Sequence, residues 1–206
     1  MEEDHCSNPP ASAGPGRATL NLLMIVLASQ SPRRREILER AGIPFTVRVA
    51  DIDESVAAGE APQSYVRRLA ARKAVAVARP GEVVLAADTT VVADGEILSK
   101  PVDAADATRM LTMLAGRTHE VITGFCIKNG KDLYIDAEST SVRFLTMDPD
   151  EIAAYVATGE PMDKAGAYAI QGLASRYIDR IEGCYFNVVG LPVSRVFQHL
   201  RRQGVF

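Results

Sequence analysis

A short segment of the sequence combines a helix start with several arginines. Residues 29–34 read SQSPRR and stand between an apolar run and a helical pattern. Ser31 is a favourable N-cap and Pro32 suits the first helical position, so the pattern predicts a strand, a turn and a helix. Free backbone N–H groups, the positive end of the helix dipole and the guanidinium groups of Arg33 and Arg34 all favour a bound anion. The segment therefore indicates a polyphosphate site, the alternative being an ordinary capped helix with a basic surface.

A carboxylate lies in the middle of the most apolar predicted strand. Residues 83–93 are rich in β-branched and apolar side chains, which is typical of a strand buried on both faces, and Asp88 and Thr89 lie at the centre. A buried carboxylate is unfavourable unless it is paired, hydrogen-bonded or bound to a metal. We therefore interpret Asp88 as a candidate functional group.

Two lysines are expected to lie near that carboxylate. The helix predicted for residues 62–78 has an apolar stripe, and Lys73 occupies one position of the stripe. The dipeptide Asp94-Gly95 predicts a hairpin turn, and its register brings Lys100 opposite Thr89. Each lysine has a simpler explanation, because the stem of Lys73 can extend to water and Lys100 can be a polar strand end.

Together these groups favour hydrolysis of a nucleotide polyphosphate. Cations and backbone N–H groups would hold the phosphates, carboxylates such as Glu54 and Asp88 would hold a divalent metal, and one carboxylate would activate water. Mg²⁺ uses few protein ligands and keeps several waters, which matches so sparse an acidic set. The loop at residues 161–172 adds Lys164 and Gln171, although an Ω-loop without such a role is the alternative.

Composition argues against several other classes of protein. The net charge is -3, whereas a general binder of nucleic acid or of a membrane surface needs a basic surplus. The sequence has no Walker-A loop, no Ser-His-Asp order and no helical zinc motif, and its histidines are scattered. The three cysteines have no metal-ligand spacing, which fits a reducing cytoplasm, and no run is long enough for a membrane span. A catalytic histidine or a structural zinc site is not expected.

The predicted elements mix strands and helices without strict alternation, which favours an α/β fold with a mixed sheet flanked by helices. A hairpin is predicted across Glu182-Gly183 and a last helix over residues 192–202. Residues 1–21 are rich in Pro, Gly, Ala and Ser and predict a disordered extension, and residues 22–206 a single domain. Met24 is an alternative start to Met1. Further strands are predicted at about residues 45–49, 96–98, 120–128, 133–136 and 139–145, and further helices at residues 103–115 and from residue 148 to residue 159.

The sequence resembles the Maf family of nucleoside triphosphate pyrophosphatases from residue 25 to about residue 200. The resemblance implies an inosine-triphosphatase-like fold with two lobes around a deep cleft, and a possible homodimer. It also implies cleavage between the α and β phosphates of a nucleoside triphosphate, which yields a monophosphate and pyrophosphate. Mg²⁺ or Mn²⁺ is the expected cofactor. The segments that carry the resemblance are LASQSPRRREIL, YVRRLAARKA, AADTTVVADGEILSKP, AGRTHEVITG, EPMDKAGAYAIQG and VVGLPVSRV.

The resemblance also implies residue roles. The family's general base falls on Asp88 and a supporting acid on Glu54, and we expect these two carboxylates to bind the metal. Lys164 joins the phosphate-binding set by its position in the Gly-containing loop. The phosphate ligands implied by the family are Ser29, Arg33, Arg34, Lys73 and Lys100.

Substrate preference is implied at three positions. Arg33, Thr89 and Gln171 resemble the dTTP/UTP-hydrolysing subfamily, whereas the 7-methyl-GTP subfamily tends to have Trp, Gln and Glu there. Ala174 departs from the Gly that relatives often have. The expected function is therefore hydrolysis of dTTP, UTP and modified pyrimidine triphosphates in the cytoplasm. The alternatives are a 7-methyl-GTP pyrophosphatase and a non-catalytic nucleotide-binding regulator of cell division.

Overall fold

The computed structural model of the protein describes residues 24–206, and the predicted N-terminal extension lies outside them. Within the described residues, seven strands form one mixed sheet flanked by helices, as predicted. The strands are β1 (Ile25–Leu27), β2 (Phe45–Val47), β3 (Val83–Ala93), β4 (Glu96–Leu98), β5 (Thr118–Asn129), β6 (Asp132–Phe144) and β7 (Ile178–Glu182). The helices are α1 (Pro32–Arg40), α2 (Pro62–Val77), α3 (Ala104–Leu114), α4 (Pro149–Ala157), α5 (Tyr185–Val189) and α6 (Val193–Arg202).

Strand β3 lies inside the sheet and has different neighbours along its length. On one side it pairs antiparallel with β5 from Val83 to Val92. On the other side, β1 pairs in parallel with residues 84 and 85, and β4 pairs antiparallel with residues 91 to 93. Residues 86–90 therefore have a strand neighbour on one side only. This gap lies just beyond the carboxyl end of β1, where ligands commonly bind in open α/β sheets.

Helix α2 packs unusually close to β5, because Gly124 faces it. A Cβ atom on Gly124 would lie 2.5 Å from the carbonyl carbon of Val66. The close approach buries the face of α2 that carries Leu69, Lys73 and Val77, as the apolar stripe predicts. Lys73 is thereby placed against the sheet beside the gap.

Apolar side chains from both ends of the sheet complete the core. One cluster joins β1, β3 and β5 to α1 and α6, and it includes the fully buried Leu27, Leu38 and Leu200. Another joins β3, β5 and β6 to α3 and α4 around Leu111 and Phe144. Among the residues described, no helix is both long and apolar enough to cross a membrane.

Two predicted elements are wrong. The strands predicted at 133–136 and 139–145 are one strand, β6, because nothing between them interrupts its pairing with β5 from Thr118 to Asn129. No hairpin forms across Glu182-Gly183: β7 ends at Glu182, and the chain then enters α5. The partner of β7 is β6, which precedes it by about forty residues in sequence, so local turn residues do not reveal it.

Candidate active site

The N-terminus of α1 forms the first wall of the site. Ser31 is the N-cap, and its side chain accepts a hydrogen bond from the backbone N–H of Arg34. The Oγ atom of Ser29 accepts a hydrogen bond of 3.2 Å from the backbone N–H of Ser31, which shapes the turn between β1 and α1. The strand, turn and helix predicted for this segment are confirmed. The positive end of the helix dipole faces the gap beside β3.

Arg34 turns inward from this helix and is held at each end of its guanidinium group. Its Nε donates to the carbonyl of Gly190 at 2.7 Å, Nη1 donates to Ser29 Oγ at 3.0 Å, and Nη2 donates to Thr89 Oγ1 at 3.0 Å. Burial lowers the pKa of Arg34, and the negative charge of Asp88 opposes that change. Because an arginine stays protonated in proteins, the result is a fixed positive charge beneath the cavity.

Lys73 lies between two carboxylates. Its Nζ atom is 2.6 Å from Asp88 Oδ1 and 2.8 Å from Glu54 Oε1. The side chains of Lys73 and Asp88 are each 11 % exposed, whereas that of Glu54 is 51 % exposed. The buried carboxylate is thus paired, which is the condition that makes its burial tolerable. The hydroxyl group of Tyr65, two helical turns before Lys73, donates to the carbonyl of Glu54 at 3.0 Å and holds that segment against α2.

A cavity of about 640 Å³ opens over these groups. Every residue with a predicted role lines it, so side chains from α1, α2, β3 and four connecting segments meet at one place. The predicted pairing of Lys100 with Thr89 is wrong. Strand β4 ends at Leu98, so Lys100 forms no strand pair with Thr89. The lining residues with predicted roles are Ser29, Arg33, Arg34, Glu54, Lys73, Asp88, Thr89, Lys100, Lys164 and Gln171.

Asp163 pairs with two of the cations at the rim, a contact that sequence reasoning missed. Its carboxylate lies 3.3 Å from Arg33 Nη1 and also contacts the ammonium group of Lys164. Burial acts to raise the pKa of Asp163, but Lys164 and Arg33 together hold it below its usual value. Lys164 also donates to the carbonyl of Glu160 at 2.6 Å. The adjacency of Asp163 and Lys164 was the available signal, but the partner in α1 is 130 residues away in sequence.

The acidic side chains of the cavity are the candidate ligands for a divalent cation. Among the described residues, no group of three or more His, Cys, Asp or Glu side chains is placed to hold a metal ion. Asp88 and Glu54 converge on the same ammonium nitrogen of Lys73, so their carboxylates lie close together. Mg²⁺ and similar hard cations use one or two carboxylates, together with phosphate oxygens and water. The pair fits such an ion when a phosphate ligand completes the coordination.

Comparisons with known proteins identify the family of the chain. Residues 24–203 match the family model described as "Maf-like protein". The chain is 52% identical over 183 residues to a dTTP/UTP pyrophosphatase of Koribacter versatilis, covering 88% of this chain and 95% of the relative. It is 54% identical over 185 residues to a protein of the same name from Anaeromyxobacter sp., covering 87% of this chain and 89% of the relative. A dTTP/UTP pyrophosphatase of Symbiobacterium thermophilum is 50% identical over 182 residues, covering 87% of this chain and 94% of the relative. The chain belongs to the Maf-like protein family.

Proposed function

We propose that the protein hydrolyses dTTP and UTP to the nucleoside monophosphate and pyrophosphate. The observation that carries the proposal is the ion pair between buried Asp88 and Lys73, which also pairs with Glu54, on the floor of a cavity that also holds several cations. A carboxylate among cations suits attack of water on a phosphoanhydride. Relatives about half identical to this chain carry the name dTTP/UTP pyrophosphatase, which supports the choice of substrate.

Asp88 is the general base in this proposal. Its carboxylate takes a proton from a water molecule as the water oxygen attacks the α-phosphorus, and the bond from that phosphorus to the bridging oxygen breaks. Pyrophosphate leaves with the bridging oxygen. Lys73 holds Asp88 in place through the 2.6 Å contact and offsets one of the two negative charges of Asp88 and Glu54. Loss of a general base is expected to cost on the order of 10²–10⁴ in rate.

The phosphates are assigned to the cationic walls of the cavity. The N-terminus of α1, Ser29, Arg33 and Arg34 form one wall, and Lys100 and Lys164 lie on others. Guanidinium and ammonium groups with free N–H donors stabilise a leaving group that carries several negative charges. These groups therefore bind the part of the substrate that departs as pyrophosphate.

The base is assigned to Thr89, Gln171 and Arg33, which line the same cavity. Gln171 lies at the end of the loop that also carries Asp163 and Lys164, and Arg33 reaches that loop through its ion pair with Asp163. Recognition of the base and contact with the phosphates are thereby coupled through one loop. We expect pyrimidine triphosphates to be preferred over 7-methyl-GTP.

A divalent cation is part of the proposal. Glu54 and Asp88 would hold it, and when bound it neutralises phosphate charge and polarises the reacting phosphorus. Mg²⁺ and Mn²⁺ are the candidates because both favour oxygen ligands.

The test is a product assay with purified protein, dTTP, UTP, 7-methyl-GTP and either Mg²⁺ or Mn²⁺. We expect pyrophosphate as the first product, the highest rates with dTTP and UTP, and activity lower by about 10²–10⁴ in Asp88→Asn. Asp94→Asn is the matched control, because Asp94 lies in the turn that ends the same strand and pairs with Arg117 at the surface. Orthophosphate as the first product, or full activity in Asp88→Asn, would contradict the proposal. Tight binding of the nucleotide without turnover would favour the alternative function, a non-catalytic nucleotide-binding regulator.

A further inference from the structure

A chain of threonine hydroxyl groups runs from the cavity wall into the core. Thr89 Oγ1 lies 2.9 Å from Thr123 Oγ1 on the neighbouring strand β5, and Thr123 Oγ1 donates to the carbonyl of Asn187 at 2.9 Å. Thr123 is completely buried. Among the described residues, those that line the cavity include Thr89 but not Thr123. Thr123 therefore contacts a site residue and does not reach the substrate.

Counting donors fixes the direction of this chain. A threonine hydroxyl has one hydrogen to donate, and Thr123 uses its hydrogen on the carbonyl of Asn187. The hydrogen between the two threonines must then come from Thr89. Thr89 in turn accepts from Nη2 of Arg34 at 3.0 Å. Each hydrogen bond thus runs in one direction, from the guanidinium group through both hydroxyls to the carbonyl of Asn187.

The chain closes into a ring through the C-terminal end of α5. The carbonyl of Asn187 also accepts the backbone N–H of Gly190 at 3.0 Å, and the carbonyl of Gly190 accepts Nε of Arg34 at 2.7 Å. Arg34 is therefore oriented from two sides by a ring whose members Thr123 and Asn187 are fully buried and do not line the cavity. Thr89 has one alternative acceptor, the carbonyl of Gly190 at 3.4 Å. If Thr123 could not accept, the Thr89 hydroxyl would turn to the carbonyl that Arg34 uses.

We propose that Thr123 is a positioning residue, whose hydroxyl group holds Thr89 and Arg34 in the orientation that binds the pyrophosphate part of the substrate. The proposal rests on the proposed function, because that function assigns Arg34 to the phosphates. The effect of Thr123 on binding can be measured separately from turnover, because pyrophosphate itself can be used as the probe.

Thr140 supplies a matched control. It is also a buried strand threonine, and its Oγ1 atom donates to the carbonyl of Cys184 and accepts from the side chain of Asn187. Thr140 thus holds the same α5 segment as Thr123 does. None of its described hydrogen bonds reaches Thr89 or Arg34. Replacement by valine keeps the side-chain shape and removes the hydroxyl in both cases.

The experiment measures inorganic pyrophosphate binding by calorimetry, with thermal unfolding of each variant as a check on folding. We expect Thr123→Val to weaken binding about tenfold, and Thr123→Ser and Thr140→Val to stay within about twofold of wild type. Thr89→Val should weaken binding as well, and adding Thr123→Val to it should cost little more, because both changes break one ring. If Thr123→Val does not fold, Thr123→Cys, which keeps a weak donor of similar size, should give an intermediate loss.

Unchanged pyrophosphate binding in Thr123→Val would overturn the proposal. So would an equal loss in Thr140→Val, full additivity of the two threonine changes, or a wild-type protein that does not bind pyrophosphate. A wild-type protein that binds pyrophosphate but does not hydrolyse dTTP would overturn the proposed function and leave this ring testable by the same titration.

Discussion

At the scale of single residues, the ion pair between Lys73 and Asp88 couples stability to the candidate chemistry. Both side chains are nearly buried, and their charged atoms lie 2.6 Å apart. Breaking a buried pair by removing one partner leaves an uncompensated charge, which is more harmful than removing both. Lys73 is consequently expected to matter for folding as well as for turnover.

Lys73→Met should lower the free energy of unfolding by about 3 kcal/mol, because Asp88 loses its counter-ion. Adding Asp88→Asn should recover most of this loss without recovering activity, since the remaining pair of side chains is neutral. Lys100→Met is the control, because Lys100 lies exposed on the cavity wall and should change the free energy of unfolding by less than about 0.5 kcal/mol. Urea unfolding measures all four proteins. An unchanged unfolding free energy in Lys73→Met would show that the pair is not needed for stability.

His119 is a second residue whose charge state depends on the fold. It is buried, its Nε2 atom lies 2.8 Å from the hydroxyl oxygen of Tyr168, and burial lowers its pKa to about 4. The folded state therefore binds the proton less readily than the unfolded state, whose histidine has a pKa of about 6.5. Stability must fall as the pH falls from about 6.5 to about 4, with no further loss from this group below that range.

The expected size of this loss is about 3 kcal/mol, from the difference between the two pKa values. His119→Phe should flatten the dependence of the unfolding free energy on pH between about 6.5 and 4, even though it also removes the contact with the Tyr168 hydroxyl. Chemical denaturation at several pH values measures this dependence for wild type and His119→Phe. The control is His199→Phe, which replaces the less buried histidine of α6. If the unfolding free energy had the same pH dependence in wild type and His119→Phe, His119 would not be the source of the loss of stability.

At the scale of elements, the approach of α2 to β5 determines where Lys73 lies. Gly124 permits that approach, because a Cβ atom there would meet the backbone of Val66 at 2.5 Å. Backbone atoms cannot move aside as a flexible side chain can. A larger residue at this position must move the helix itself, and Lys73 with it.

Gly124→Ala should therefore lower both stability and turnover, the first by about 1–3 kcal/mol as expected for overpacking. Gly130→Ala is the comparison, since Gly130 lies in the exposed turn between β5 and β6 with φ +55° and open space around it. That change should cost about 1 kcal/mol through backbone strain and leave kcat/KM for dTTP near the wild-type value. Unfolding by urea and steady-state kinetics separate the two cases. Full activity in Gly124→Ala would mean that the position of α2 is less constrained than the packing indicates.

At the scale of the whole molecule, the two candidate metal ligands share one lysine of the protein itself as their counter-ion. Removal of divalent cations with EDTA should abolish hydrolysis of dTTP. It should change the free energy of unfolding by less than about 0.5 kcal/mol, because Lys73 already forms an ion pair with both Glu54 and Asp88. Denaturation with and without Mg²⁺ measures the difference. A large stabilisation by Mg²⁺ alone would show that the ion binds strongly without substrate.

Local patterns predict much of this molecule, because many of its determinants are close in sequence. The turn at Asp94-Gly95 fixes the pairing of Ala93 with Glu96, and the stripe on α2 places Lys73 on a buried face, as observed. The pairing of Arg33 with Asp163 and the ring through Thr123 could not be predicted in this way. Their partners lie on separate elements, and only the folded sheet brings them together.

The pairing of Asp163 with Arg33 and Lys164 has a consequence for selectivity among anions. An incoming anion must displace an internal carboxylate that already forms an ion pair with both cations. Orthophosphate is small and can replace only part of these contacts, whereas the proposed triphosphate substrate would contact the rim and the N-terminus of α1 at once. We therefore expect Asp163 to act as an internal competitor that keeps abundant small anions from occupying the cavity. The same carboxylate would return to its cations as pyrophosphate departs and so favour release of the product.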